Sequence, residues 1–172
     1  MWATRFLFLF SAFLILPIDA NAAFNLHTGS FTPQASIPIL YTCDGKDISP
    51  EFDWQNMPDK TESFAFIMHD VDAPGGDFYH WVLYNIPKRI LSFPEGMKEI
   101  PTSVLVGKNS WNVSEYKGPC PPQGKAHRYI FTIYALDADL RLAPGQTAEA
   151  IKKAIKSHIL GQAQLSATYE RK

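Results

Sequence analysis

Apolar residues along the chain gather into three short, nearly continuous runs separated by turn-forming segments. Phe64-Ala65-Phe66-Ile67-Met68 is apolar at every position and carries aromatic side chains, the pattern of a strand buried on both faces. The segment Trp81-Val82-Leu83-Tyr84-Asn85-Ile86 repeats it, and residues 129–136 form a longer run rich in β-branched and aromatic residues. These three are predicted as central strands. Prolines sit singly between the apolar runs, which suits short strands joined by turns. Only one segment reads as a helix. Thr147 can cap it, Glu149 suits its first turn, Ile151, Ala154, Ile155, His158 and Ile159 share one face, and Gly161 is the expected stop. Gln162 to Tyr169 then alternates small or apolar with polar residues and is predicted as a last strand. The expected architecture is mostly β with one late helix.

The first residues follow another pattern. Arg5 precedes an apolar stretch from Phe6 to Leu16, Pro17 breaks any helix there, and Ala20-Asn21-Ala22 supplies small residues at the spacing a signal peptidase accepts. Residues 1–22 are therefore predicted as a secretory signal peptide, and 23–172 as a single domain that is periplasmic or secreted. The apolar stretch is shorter than the ~20 residues needed to cross a bilayer, and no Cys follows at the cleavage point, so no stable membrane anchor is expected after its removal. In an oxidising compartment the even count of cysteines, Cys43 and Cys120, favours one disulfide over two free thiols. Such a bridge closes a long loop and would stabilise the fold by roughly 4 kcal/mol. The formal net charge of -1 offers no basic face for a polyanion, so nucleic acid is not an expected partner.

Polar residues that could carry chemistry stand at the ends of the central strands. Asp70 and Asp72 close the first of them within Asp70-Val71-Asp72-Ala73-Pro74-Gly75-Gly76, a segment whose Pro and paired Gly force a turn. His80 opens the second strand and His127 the third, so both can stand at the same end of a sheet as the Asp turn. A two-residue period puts His127 and Tyr129 on one face and Arg128 on the other, where Arg128 can bond the Asp turn. Asp70, His80, His127 and the Tyr129 hydroxyl would together form imidazole donors oriented by a carboxylate, a grouping that favours a small anion. Taken one at a time, each residue is as well explained by turn formation or core packing. Before His127 the stiff segment Gly118-Pro119-Cys120-Pro121-Pro122 supplies a rigid wall; a P-loop is excluded, because Lys125 is not followed by Ser or Thr.

In these three ordered segments, Asp70-Val71-Asp72-Ala73-Pro74, then His80-Trp81, then Gly118-Pro119-Cys120-Pro121-Pro122 leading to His127-Arg128-Tyr129, the chain resembles the phosphatidylethanolamine-binding protein family. The match is to its bacterial Raf-kinase-inhibitor-like branch and extends from about Phe24 to Tyr169, with support from Cys43-Asp44-Gly45, Ser49-Pro50 and Ile159-Leu160-Gly161-Gln162. The resemblance implies packed antiparallel β-sheets, few helices and a small pocket near the surface. It implies that Asp70, Ala73, Pro74, His80, Pro121, His127 and Tyr129 line that pocket, that phosphate, acetate or phosphorylated head groups bind there, and that the Ala73-Pro74 bond is cis. The sequence ends soon after Tyr169, without the C-terminal helix that flanks the pocket in animal members, so kinase inhibition is not carried over.

Several functions compete on these residues. The favoured one is a binding protein for a small phosphorylated or carboxylate ligand that modulates a protein partner. A hydrolase would use His127 or His80 as base and Asp70 to orient it, but no Gly-x-Ser-x-Gly elbow is present and a disulfide would silence Cys120. His80, His127, Asp70 and Asp72 are ligand types for a metal, yet their spacing matches no metal motif, and neither metal nor cofactor is expected. A secreted inhibitor would act through loops such as residues 111–116, where Trp111 and Tyr116 could equally serve a homodimer. If both histidines donate to an anion, affinity weakens as they deprotonate above their ordinary pKa of about 6.5.

Overall fold

The computed structural model describes residues 23–97 and 99–172; the expected signal peptide lies outside the described residues. Among the described residues the strands are β1 (Asn25–His27), β2 (Phe52–Gln55), β3 (Ser63–Asp70), β4 (Phe78–Pro87), β5 (Ser92–Phe93), β6 (Leu105–Val106), β7 (His127–Leu136) and β8 (Ile159–Tyr169), with one helix, α1 (Ala148–Ile155). They form two antiparallel sheets, β1-β2-β5 and β6-β4-β3-β7-β8. The three predicted strands are β3, β4 and β7, at the centre of the larger sheet. Each is almost wholly buried, as their unbroken apolar runs require.

The small sheet packs on one face of the large one through aromatic rings. Phe52 of β2 sits 5.0 Å from Phe66 and 5.1 Å from Phe131, and Trp54 lies 5.5 Å from Phe64, all in tilted or edge-on geometry. Such pairs satisfy the ring quadrupoles while burying the largest side chains. The other face of the large sheet is covered by α1, whose Ile151 and Ile155 pack with Ala65, Ile67, Val82 and Tyr84. Thr147 caps the helix, its hydroxyl accepting from the Ala150 N–H.

The helix ends earlier than its apolar face predicts. Strand pairing takes over where β8 starts: Ile159 pairs with Leu136, and His158 binds Asp137 through both backbone and imidazole. Gly161 is therefore a strand residue and not the helix stop. A Cβ there would come within 2.9 Å of Pro58 Cγ, so close packing explains the glycine.

Cys43 and Cys120 are joined, with 5.4 Å between their Cα atoms. The bond fastens the Pro-rich segment to the loop after a 3₁₀ turn at Ile39–Tyr41, where the Cys43 N–H also binds Pro119 O and the Gly118 N–H binds Asp47 Oδ1 at 2.7 Å. Gly118 must be glycine, because a Cβ would lie 2.2 Å from Tyr41 O. The crosslink spans 77 residues of sequence and removes much conformational freedom from the unfolded chain. Replacing both cysteines by serine is expected to lower stability by about 4 kcal/mol in denaturant titrations without reductant. A loss below about 1 kcal/mol would show that the loop is held by its other contacts.

Candidate functional site

The strand register assembles the site. Asp70, the last residue of β3, pairs with Phe78 on β4 and with Tyr129 on β7. His127 lies two residues before Tyr129 and so shares its face. His80 arrives by another route: Met68 pairs with Trp81 and His69 with Tyr79, leaving His80 unpaired as the extra residue of a β-bulge. The bulge turns His80 toward the same face as Trp81, and its ring stands 5.3 Å from Tyr129.

Asp70 and His127 are both nearly inaccessible, at 4 % and 3 % exposure, and His127 Nδ1 lies 2.6 Å from Asp70 Oδ2. The second carboxylate oxygen, Oδ1, accepts the Asp72 backbone N–H at 2.8 Å. Both oxygens of a buried carboxylate are thus satisfied, which its burial requires. Because the carboxylate can only accept, the His127 proton sits on Nδ1. His80 is fixed the same way. Its Nδ1 lies 2.8 Å from Lys117 O and 3.1 Å from Gly118 O, both acceptors, so it must donate. Burial lowers the His80 pKa from its ordinary 6.5, against the opposing pull of these carbonyls, Asp70 and Asp47, so the ring is neutral at pH 7. Among the described residues neither Nε2 has a protein partner, and both rings line one cavity.

That cavity is about 240 Å³. Asp70, His80 and His127 form its polar part; Ala73 and Pro74 from the Asp turn, Phe78 and Trp111, and Cys120, Pro121 and Pro122 form its walls. It is smaller than pockets that enclose whole drug-sized ligands. Among these lining residues there is no Lys or Arg. Larger hollows elsewhere on the surface, including one of about 520 Å³ beside α1, hold none of the converging groups. Among the described residues no three His, Cys, Asp or Glu side chains converge as metal donors.

The phosphatidylethanolamine-binding protein family model matches residues 27–170. The chain belongs to the phosphatidylethanolamine-binding protein family. A UPF0098 protein of Methanothermobacter thermautotrophicus is 41% identical over 150 residues, covering 86% of this chain and 99% of the relative, and one from Aquifex aeolicus is 40% identical over 155 residues, covering 88% and 91%. Among solved structures, a phosphatidylethanolamine-binding protein homolog from Chlamydia trachomatis superposes with a TM-score of 0.81 at 33% identity, over 89% of this chain and 100% of that one. YbcL of E. coli, described as a new member of the mammalian family, gives 0.82 at 26% identity, over 88% and 100%.

Within this family fold, six of the seven expected pocket residues line the cavity, and Tyr129 does not. It is fully buried beneath His80, and its hydroxyl has no partner within hydrogen-bonding distance. Burial, then the Asp70 carboxylate beside it, holds that hydroxyl in its protonated form far above the ordinary range. The Ala73-Pro74 bond is trans, as are all bonds among the described residues. Reversal comes from the following turn instead, closed by the Gly76 N–H on Ala73 O at 3.0 Å, with Gly76 at φ +98°. Phe78 and Trp111, which the strand pattern does not mark as pocket residues, complete the lining. Trp111 is 43 % exposed and stands edge-on to Phe78 at 4.6 Å, forming the cavity lip, while Tyr116 of the same loop packs inward and donates to Tyr41 O at 2.7 Å.

Arg128, on the opposite face from His127, grips Asp72 with two guanidinium bonds of 2.9 and 2.8 Å, and its backbone N–H adds a third. The guanidinium beside it holds the Asp72 carboxyl well below its ordinary 3.8. A depressed carboxyl contributes stability above its unfolded pKa and loses it as pH falls toward the folded one. The stability gap between wild type and Arg128→Ala should therefore stay constant from about pH 7 to 5 and narrow below about pH 4. Denaturant titrations at several pH values check this, and a gap unchanged down to about pH 2 would show that the ion pair contributes nothing.

Proposed function

We propose that this protein is an exported binding protein whose pocket takes the phosphate group of a small ligand or phospholipid head group. The observation that carries this reading is the pair of buried imidazoles, His80 and His127, each tied down at Nδ1 and each left with a free Nε2 at one small cavity. Fixing each ring through its inner nitrogen leaves the outer nitrogen at a set position for one hydrogen-bonding group of the ligand. The cavity's size suits a head group and leaves the remainder of a ligand outside, along the Phe78 and Trp111 lip. The family name points to phosphatidylethanolamine, whose phosphate and ethanolamine form such a head group.

Export is supported by the apolar stretch after Arg5 and by the disulfide, a bond rare in reducing compartments. The Asp70–His127 pair also has the arrangement of an oriented catalytic base. Binding is the better reading because the lining residues include no hydroxyl nucleophile and Cys120 is held in the disulfide. The exposed Trp111 and Val113 beside the mouth give a protein partner a surface that would sense an occupied pocket.

Calorimetric titration with inorganic phosphate and O-phosphorylethanolamine tests the reading. Wild type should bind saturably, and His127→Ala or Asp70→Asn should weaken binding by tenfold or more while circular dichroism shows the fold retained. No binding by folded wild type would rule the pocket out as the anion site.

A further inference from the structure

The protons of the two imidazoles are the feature that the binding reading leaves unused. Donation from Nδ1 of His80 to the Lys117 and Gly118 carbonyls, and from Nδ1 of His127 to Asp70, leaves both Nε2 atoms as lone-pair acceptors in the neutral rings. A fully ionised anion consists of acceptors as well. Facing His80, it would meet a lone pair with no hydrogen between them.

The surroundings do not supply the missing charge. Around His80 stand Asp70 from β3, His127 and Tyr129 from β7, Phe78 on its own strand, Trp111, and Asp47 behind the Gly118 N–H. The two charged members of this set are carboxylates, and burial keeps the His80 ring neutral. Arg128 is committed to Asp72 outside the cavity. His127 differs in what holds it: its Nδ1 faces the Asp70 carboxylate at 2.6 Å, where Nδ1 of His80 faces two backbone carbonyls. The pocket therefore presents an acceptor at His80 beside a His127 ring backed by a carboxylate.

Resting on the anion-pocket reading, we propose that the site selects oxyanions that carry a proton: a phosphate monoester donates its P–O–H to Nε2 of His80 while His127 binds a second oxygen. Phosphate monoesters hold such a proton near neutrality, since their second pKa is about 6. Sulfate esters and sulfonates are strong acids with no proton to offer, and their oxygens would face the His80 lone pair directly. Selectivity for phosphate over sulfate then comes from an unmatched acceptor, which discriminates more strongly than shape.

Titration calorimetry of the mature protein with O-phosphorylethanolamine and with its sulfate counterpart, O-sulfoethanolamine, tests this. The phosphate ester should bind at least tenfold more tightly. Above pH 7, where the ester is mostly dianionic, its affinity should fall by up to tenfold per pH unit, with proton uptake seen as a dependence of heat on buffer ionisation enthalpy. In His80→Gln, whose amide can donate, the preference should shrink to threefold or less; should that variant not fold, the wild-type selectivity and proton uptake decide. Equal affinity for the two esters, or binding without proton uptake above pH 7, overturns the proton-bearing requirement while leaving the anion pocket intact. Failure of both esters to bind overturns the pocket reading and this inference together.

Discussion

A carboxylate buried at the end of a central strand governs how this protein is put together. Asp70 is 4 % exposed, and an ionised group so placed is stable only if its oxygens are bonded. The Asp72 backbone N–H takes one oxygen and His127 Nδ1 the other. Each bond constrains a different part of the chain. The first winds residues 70–72 into the turn that delivers Ala73 and Pro74 to the cavity wall; the second requires β7 to pair with β3 in the register that places Tyr129 opposite Asp70. A one-residue slip of that register would move His127 to the other face and strand the carboxylate.

A second set of constraints holds His80. Its bulge on β4 aims the ring at the cavity, and the carbonyls of Lys117 and Gly118 fix its proton. Those carbonyls belong to the segment that the Cys43–Cys120 bond and the Gly118–Asp47 hydrogen bond clamp in place. The disulfide is thus joined to the cavity twice: Cys120 is part of its wall, and the neighbouring backbone orients an imidazole inside it. Covalent and hydrogen-bonded supports converge on two Nε2 atoms, which is how the fold presents fixed groups to a ligand.

Much of this was legible in the sequence because burial on both faces leaves a strong mark. The apolar runs around Phe66, Leu83 and Phe131 identified β3, β4 and β7, and the alternation of His127, Arg128 and Tyr129 correctly sent Arg128 to Asp72. Strands of two to four residues, such as β2 and β5, hold too few alternations to be placed by pattern, so the second sheet follows only from the family resemblance. His80 reached the site through a bulge, which the two-residue period cannot anticipate. Gly161 looked like a helix stop because glycine commonly ends helices, whereas its role depends on Pro58, about a hundred residues away in sequence. Tyr129 shares a face with His127, but a face does not fix depth, and His80 covers it. Tautomers could not be read from the sequence at all, since they follow from which acceptor meets Nδ1.

The tautomeric state of the two rings is therefore the point on which the account stands. Nitrogen-15 NMR of the imidazole side chains at pH 8, with His80 and His127 assigned by single substitutions, observes it directly. Both rings should carry their proton on Nδ1 in the free protein, with both Nε2 resonances shifting on addition of phosphate. A proton on Nε2 of either ring in the free protein, or Nε2 signals indifferent to saturating phosphate, would contradict it.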